Sequence, residues 1–293
     1  MIECDGIANA VGVGMTNSCV TGRGRDPSRT TVDLGGSCWA TNRAEGSFSS
    51  KFNEVRGSAI RIGITLGGVR HRKNPDNSFT ADPSGQYIRN WSYTTCQDKD
   101  GDGAIRTSTG LGDILPWPNT NNSDSDGGVS TAEDECIINY MRVAGIGART
   151  VAVDKLNRVY IGGYDNQQHE LYDPTLPEGT AVPGTRVNLG CGGYGGLIDR
   201  NGILWSALPN SQGLRVDTNV NPVSAQCHPW MNGYGIAVDP NTGHIWQSSL
   251  GDSNAVMEFN NSVVALPLHS YPQPFEYGAQ GLVVDIRGHV FVA

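Results

Sequence analysis

One motif recurs five times along the chain and limits what it can fold into. It is a small or apolar run ending in aspartate, then a turn of a few residues, then a strand carrying an aromatic. The copies run from Ser28 through Asp33 to Trp39, from Arg149 through Asp154 to Tyr160, from Tyr194 through Asp199 to Trp205, from Tyr234 through Asp239 to Trp246, and from Gln280 through Asp285 to Phe291. The chemistry of each copy is legible. The aspartate bonds the backbone of its own turn, and Asn or Gly supplies left-handed dihedrals there. The returning strand lays its aromatic against the next unit, and a third strand follows, as in Ala255–Phe259. One such unit cannot bury both of its faces, so units must stack.

Successive aspartates lie 121, 45, 40 and 46 residues apart. The shorter steps suit the blades of a repeat fold. The expectation is an all-β protein, a β-propeller of four-stranded antiparallel blades starting near 28, 149, 194, 234 and 280, with about six to eight blades in the full protein. The long step predicts one blade carrying a long, loop-rich insertion over residues 66–135, with strands at Ser47–Phe52 before it and Ile137–Val143 after it. Two degenerate blades are the alternative. Residue 293 falls inside the strand that begins at Val290, so the chain is expected to be part of a longer propeller.

At these repeats the sequence resembles the virginiamycin B (streptogramin B) lyase-like propellers and the related NHL-type repeats, through the Gly-x-x-Val-Asp-x-x-Gly-x-Ile-Trp pattern best seen in 233–246. The stretch from Gln97 to Cys136, with Asp113 to Trp117 inside it, looks like an insertion found in some secreted members of such proteins. The resemblance implies a histidine five residues before each aspartate, lining the mouth of the central channel, and a glutamate three residues after the aromatic. Ser28, Arg149, Tyr194, Tyr234 and Gln280 stand at the first position; Asn42, Gly163, Leu208 and Ser249 stand at the second. Lyase chemistry needs a general base and acid at those places, and the sequence supplies neither. The first reading is therefore a non-enzymatic, secreted propeller for extracellular binding or adhesion, or a subunit of a surface structure or filament. The alternative is a lyase or glycan-active enzyme with its site at the channel. Arg149, Tyr194, Tyr234 and Gln280 are the channel-mouth residues placed to bind a polar or glycan ligand. Trp39, Tyr160, Trp205 and Trp246 share one repeat position and read as core.

The insertion holds the sharpest chemical motif, Asp98-Lys-Asp100-Gly-Asp102-Gly. Carboxylates at alternate positions, with glycines that let the backbone wrap, suit an oxygen-seeking Ca²⁺ ion in a structural role. Ala104 would offer its carbonyl, and Asp113, Glu133 or Asp134 would complete the shell; Asp124 and Asp126 form a second, weaker loop. Thr109 stands where an EF-hand would need its bidentate glutamate, so the loop is of another type. Nine acidic residues and two basic ones lie between Asp98 and Glu135, while the whole chain carries a net charge of −8. Repulsion among them would oppose ordering without a cation.

Seven cysteines stand at widely spaced positions in a turn-rich chain with only four lysines, which points to an oxidising compartment. Cys38 reads as a small buried hydrophobe, and the remaining six are expected to pair as Cys4–Cys19, Cys96–Cys136 and Cys191–Cys227, although other pairings stay open. The acidic balance excludes a nucleic-acid backbone as ligand, and no stretch approaches a membrane span. Partners are expected to be further copies of the chain, other surface proteins or glycans, outside the cell or at its surface. The targeting signal is expected outside this sequence, since the start has neither basic region nor apolar run. Sequons at Asn90, Asn121 and Asn260 are glycosylation candidates. The six histidines show no metal-ligand spacing; His244 and His289 occupy matching turn positions and read as structural.

Overall fold

The computed structural model describes residues 25–44, 56–117, 129, 132–176, 180–229, 231–249, 255–264, 266–273 and 279–293. The expected strand at Ser47–Phe52, Cys4 and Cys19, and Asn121, Asp124 and Asp126 lie outside them. The chain divides into two compact units, one of Met1–Arg142 with Pro174–Thr180 and one of Val143–Asp173 with Ala181–Ala293. All regular structure longer than a single residue is β among the described residues, and no helix there is long and apolar enough to cross a membrane.

The second unit is a run of propeller blades. Strands β9 (Ala148–Val153), β10 (Val159–Gly163), β11 (Gln168–Tyr172) and β12 (Val187–Asn188) form one four-stranded antiparallel sheet in sequence order. A second holds β13 (Gly196–Ile198), β14 (Ile203–Ser206), β15 (Gly213–Asp217) and β16 (Ser224–His228). A third holds β17 (Ile236–Val238), β18 (Ile245–Ser248), β19 (Ala255–Phe259) and β20 (Pro267–Pro272), and β21 (Leu282–Val284) pairs with β22 (Val290–Val292). The first strands of these sheets, β9, β13, β17 and β21, are neighbours in that order. Apolar side chains of adjacent sheets interlock between them. Tyr160 shares a core with Leu214 and Val216 of the next sheet, and Trp205 shares one with Met257 and Phe259 of the sheet after that.

The repeated aspartates explain why the units recur. In all five, Oδ1 accepts the backbone N–H groups two residues ahead and three or four ahead, at Gly35 and Ser37, Leu156 and Arg158, Asn201 and Ile203, Asn241 and Thr242, and Arg287 and His289. The carboxylate thus builds the turn between the first and second strands. Its second oxygen varies in partner: Arg61, Arg158, the Trp205 indole, the Thr242 hydroxyl and the His289 ring.

In the first unit, β1 (Arg25–Val32), β2 (Cys38–Ala44), β3 (Ser58–Ile62) and β8 (Ile137–Arg142) form one antiparallel blade. Residues 63–136 leave between its third and fourth strands. They are not loop-rich throughout. They contain their own four-stranded sheet, in which β4 (Thr65–Lys73) pairs with β5 (Phe79–Ala81) and β6 (Tyr87–Thr94), and β6 with β7 (Ile105–Arg106). A Cys96–Cys136 disulfide closes the base of this insertion, beside a bond from the Gly63 N–H to the Cys136 carbonyl at 2.7 Å. A Cβ at Gly63 would meet the Cys96 backbone nitrogen and sulfur at 2.8 Å, so only glycine fits there. Cys136, Trp117, Ile105 and Tyr140 are buried in one core beneath it. Cys38 begins β2 and is half-buried rather than buried. A second disulfide, Cys191–Cys227, ties the β12–β13 connection to the outer strand β16.

Candidate functional site

Three of the four residues at the repeated channel-mouth position are joined by ring contacts. Arg149 enters β9 with its guanidinium carbon 4.5 Å from the Tyr194 ring centre and 4.8 Å from that of Tyr164. Tyr194 packs edge-on against Tyr164 at 5.4 Å and at a tilt against Tyr234 at 4.4 Å. Each cation–ring contact contributes about 0.5–2 kcal/mol, more as water is excluded. The Arg149 Nε is buried without a hydrogen-bond partner, and no carboxylate pairs with this guanidinium among the described residues. Gln280, the fourth member, is exposed and bonds through its backbone N–H to the Ala293 carbonyl. Tyr164 is a member that repeat analysis missed, because it lies in the β10–β11 turn, outside the repeated positions. It also borders an open cavity of ≈ 340 Å³ lined by Asp165, Gln167, Leu208, Pro209 and Ser211.

The positions three residues after the aromatics serve structure. A Cβ at Gly163 would lie 2.5 Å from the Ile146 backbone. The Ser249 hydroxyl donates to the Ala255 carbonyl, the Asn42 amide donates to Ser58, and Leu208 lines the cavity. Next to Arg149 in sequence, Thr150 belongs to a buried polar network. Its hydroxyl meets that of Ser206 at 2.9 Å, and Ser206 accepts the Gly193 N–H at 2.8 Å. The His169 ring lies between Ser206 on Nε2 and the Gln167 carbonyl on Nδ1, both at 3.1 Å. Nδ1 therefore donates to the carbonyl and Nε2 accepts the serine proton. Burial holds this imidazole far below the usual histidine range, at about 4, against a small opposing effect of the Gln167 carbonyl.

The acidic insertion gathers a different set from the one its alternation suggested. Asp98, Asp100 and Glu135 present carboxylate oxygens within 4.8 Å of one another. Asp98 accepts the N–H groups of Gly101, Asp102 and Gly103, as the wrapped loop requires. Asp102 is bonded to the Lys73 ammonium at 2.5 Å and to the Ala104 N–H. Asp113 accepts from Gln86 and Thr109, Glu133 pairs with Arg106, and Asp134 accepts from Ser108 and the Cys136 N–H. Glu135 is buried and accepts the Lys99 and Arg106 N–H groups. Burial pushes its carboxyl up, and the negative charges of Asp100 and Asp98 add to that; the two backbone donors oppose it. The signal for Glu135 was present in the sequence. A Cys96–Cys136 bridge must bring residue 135 beside residues 97 and 98.

Of the sequons, Asn90 is exposed on β6 at φ 58°. The Asn260 side-chain oxygen is held by Ser262 and the Leu266 N–H. Trp246 departs from the core reading: Trp39 and Trp205 are fully buried, whereas Trp246 lines a cavity of ≈ 470 Å³.

Sheets of four antiparallel strands whose first strands adjoin and whose faces interlock define a β-propeller. No protein-family profile matches the chain, and no curated protein is similar to it in sequence. Among solved structures it is similar to a streptogramin B lyase, at 12% identity and a TM-score of 0.49, over 94% of this chain and 64% of that one. It is also similar to virginiamycin B lyase from Staphylococcus aureus, at 12% identity and a TM-score of 0.43, over 91% of each chain. A catalytically inactive form of that lyase with quinupristin gives 14% identity and a TM-score of 0.42, over 94% and 79%. The chain thus spans about 64% of the length of the streptogramin B lyase it matches.

Proposed function

We propose that the chain is a non-enzymatic, secreted binding propeller whose ligand site is the Arg149 cluster and the cavity beside Tyr164. One observation carries this reading: a guanidinium is held against two tyrosine rings with no carboxylate partner among the described residues, and one of those rings, Tyr164, borders an open polar cavity. Such a group is preorganised for an acceptor-rich ligand, and the rings offer stacking surface for a sugar. The ligand class is an acidic glycan. The two disulfides are compatible with an extracellular setting. Titration calorimetry with uronate-containing and neutral oligosaccharides tests the site. Binding of the acidic series is expected, weakened about tenfold or more in Arg149→Ala through loss of a charge-assisted contact. Absence of binding across the series, or turnover of any glycan or of quinupristin, would overturn the reading.

The insertion's carboxylates Asp98, Asp100 and Glu135 are proposed as the ligands of a structural Ca²⁺ ion. Clustering three carboxylates costs free energy through repulsion, and a divalent cation offsets it. Bound ion stabilises the folded insertion by mass action. Chelation is expected to speed proteolysis within residues 97–135 and to leave 190–290 intact. Unchanged cleavage with and without chelator would reduce the acidic run to a solvated loop.

A further inference from the structure

The cavity beside Tyr164 holds one formal charge, and it is negative. Of the residues that line it, Asp165 alone is charged; Gln167 and Ser211 add neutral polar groups, and Leu208 and Pro209 add apolar surface. The Asp165 carboxylate accepts no hydrogen bond and makes no ion pair among the described residues.

The backbone fixes where that carboxylate stands. The Tyr164 and Asp165 N–H groups donate to the Gly147 and Ile146 carbonyls, both at 3.1 Å. Gly147 has φ 62°, and a Cβ there would lie 2.5 Å from the Asp165 Oδ2, so the carboxylate occupies space that only glycine leaves. The turn that carries it is strained. Gln167 stands at φ 50°, a region that few residues other than glycine enter, and its amide is tied back to the Tyr164 carbonyl. Gly147 lies two residues before Arg149, so the carboxylate rests against the backbone that leads into the guanidinium-bearing residue. The two opposite charges do not pair. Arg149 lies instead against the Tyr164 and Tyr194 rings, which leaves both charges open to a ligand.

We propose that Asp165 sets the specificity of this site, and that the ligand is an oligosaccharide in which an acidic sugar adjoins an uncharged one. The inference rests on the acidic-glycan reading above. The acid group goes to Arg149, and the uncharged neighbour enters the cavity. There Asp165 accepts from its hydroxyls, and Leu208 and Pro209 cover its apolar face. The volume of ≈ 340 Å³ suits a small ligand. A chain with an acid on every sugar would bring a second carboxylate beside Asp165, and like charges a few ångström apart weaken binding by about tenfold at low salt.

The test uses three tetrasaccharides and titration calorimetry on the full chain at low ionic strength. One alternates glucuronate with N-acetylglucosamine, one is all galacturonate, and one is all glucose. The alternating chain is expected to bind about tenfold or more tightly than the all-galacturonate chain. Asp165→Asn keeps the side-chain size and should tighten the all-galacturonate chain about tenfold, so that the gap closes. Arg149→Ala should weaken both acidic chains alike. Equal binding of the two acidic chains by the native protein, or an unchanged ratio in Asp165→Asn, would overturn the role of Asp165 and leave the acidic-glycan reading standing. If neither acidic chain binds, or if the glucose chain binds as well as they do, that reading fails and this inference falls with it.

Discussion

Replacing Cys191 and Cys227 by serine is expected to lower the stability of the second unit by about 4 kcal/mol. The bridge spans 36 residues, and closing a loop of that size removes about that much chain entropy from the unfolded state. Those residues include β13, β14 and β15, so the bridge restrains most of one blade. Cys191 is fully buried in the core shared by Tyr160, Leu204 and Leu214, and a serine there would also bury a hydroxyl. Denaturant unfolding followed by near-ultraviolet circular dichroism measures the change, with Cys38→Ser as the control expected to be neutral. A loss under about 1 kcal/mol would mean that the unfolded chain gains little freedom when the bridge is absent.

Acid is expected to destabilise the second unit through His169, by about 3 kcal/mol between pH 6.5 and 4. The folded imidazole titrates at about 4, because it is buried, and an unfolded one titrates near 6.5. Above pH 6.5 both states are neutral at this group and the stability is complete. As pH falls below 6.5 the unfolded chain takes up a proton that the folded chain refuses. Stability then drops by about 1.4 kcal/mol per pH unit until the folded ring is protonated as well. The ring fits because Gly162 faces it; a Cβ at that position would lie 2.2 Å from the ring carbon Cδ2. His169→Gln should cost stability at neutral pH and remove this part of the acid slope, leaving the slope due to carboxylates. An unchanged slope in that variant would show that the ring is protonated in the folded state.

Much of the architecture was legible because its signal is local. A repeated aspartate bonds the turn immediately ahead of it, so the same few residues specify the same two strands each time, and the blade spacing follows. The sheet inside the insertion was not legible for the opposite reason. Strand β4, Thr65–Lys73, is largely exposed and mixes glycine with charge, so it shows no apolar alternation. Its sheet is joined by contacts distant in sequence, such as Arg89 over the Phe79 ring at 4.5 Å and the Lys73–Asp102 ion pair. The candidate sites divide in the same way. Arg149, Tyr194 and Tyr234 were found because they share a repeat position. Tyr164 and Glu135 enter through the folding of a turn and through a disulfide.

The closed base of the insertion fixes its anchorage, while its buried side chains complete the core of the blade that carries it. β3 and β8 meet through a backbone bond between Gly63 and Cys136, and Cys96 is stapled to the same point. The point at which the insertion leaves and returns is therefore fixed. Lengthening a loop whose ends are already held together adds only a slowly growing entropy cost. Exchange is limited all the same by what the insertion puts under the blade: Trp117 packs edge-on against Tyr140 of β8 at 5.4 Å, and Ile105 and Ala132 share a cluster with Ala40, Ile60 and Ile62, so a graft at residues 63 and 136 that lacks these side chains should leave one face of the sheet uncovered.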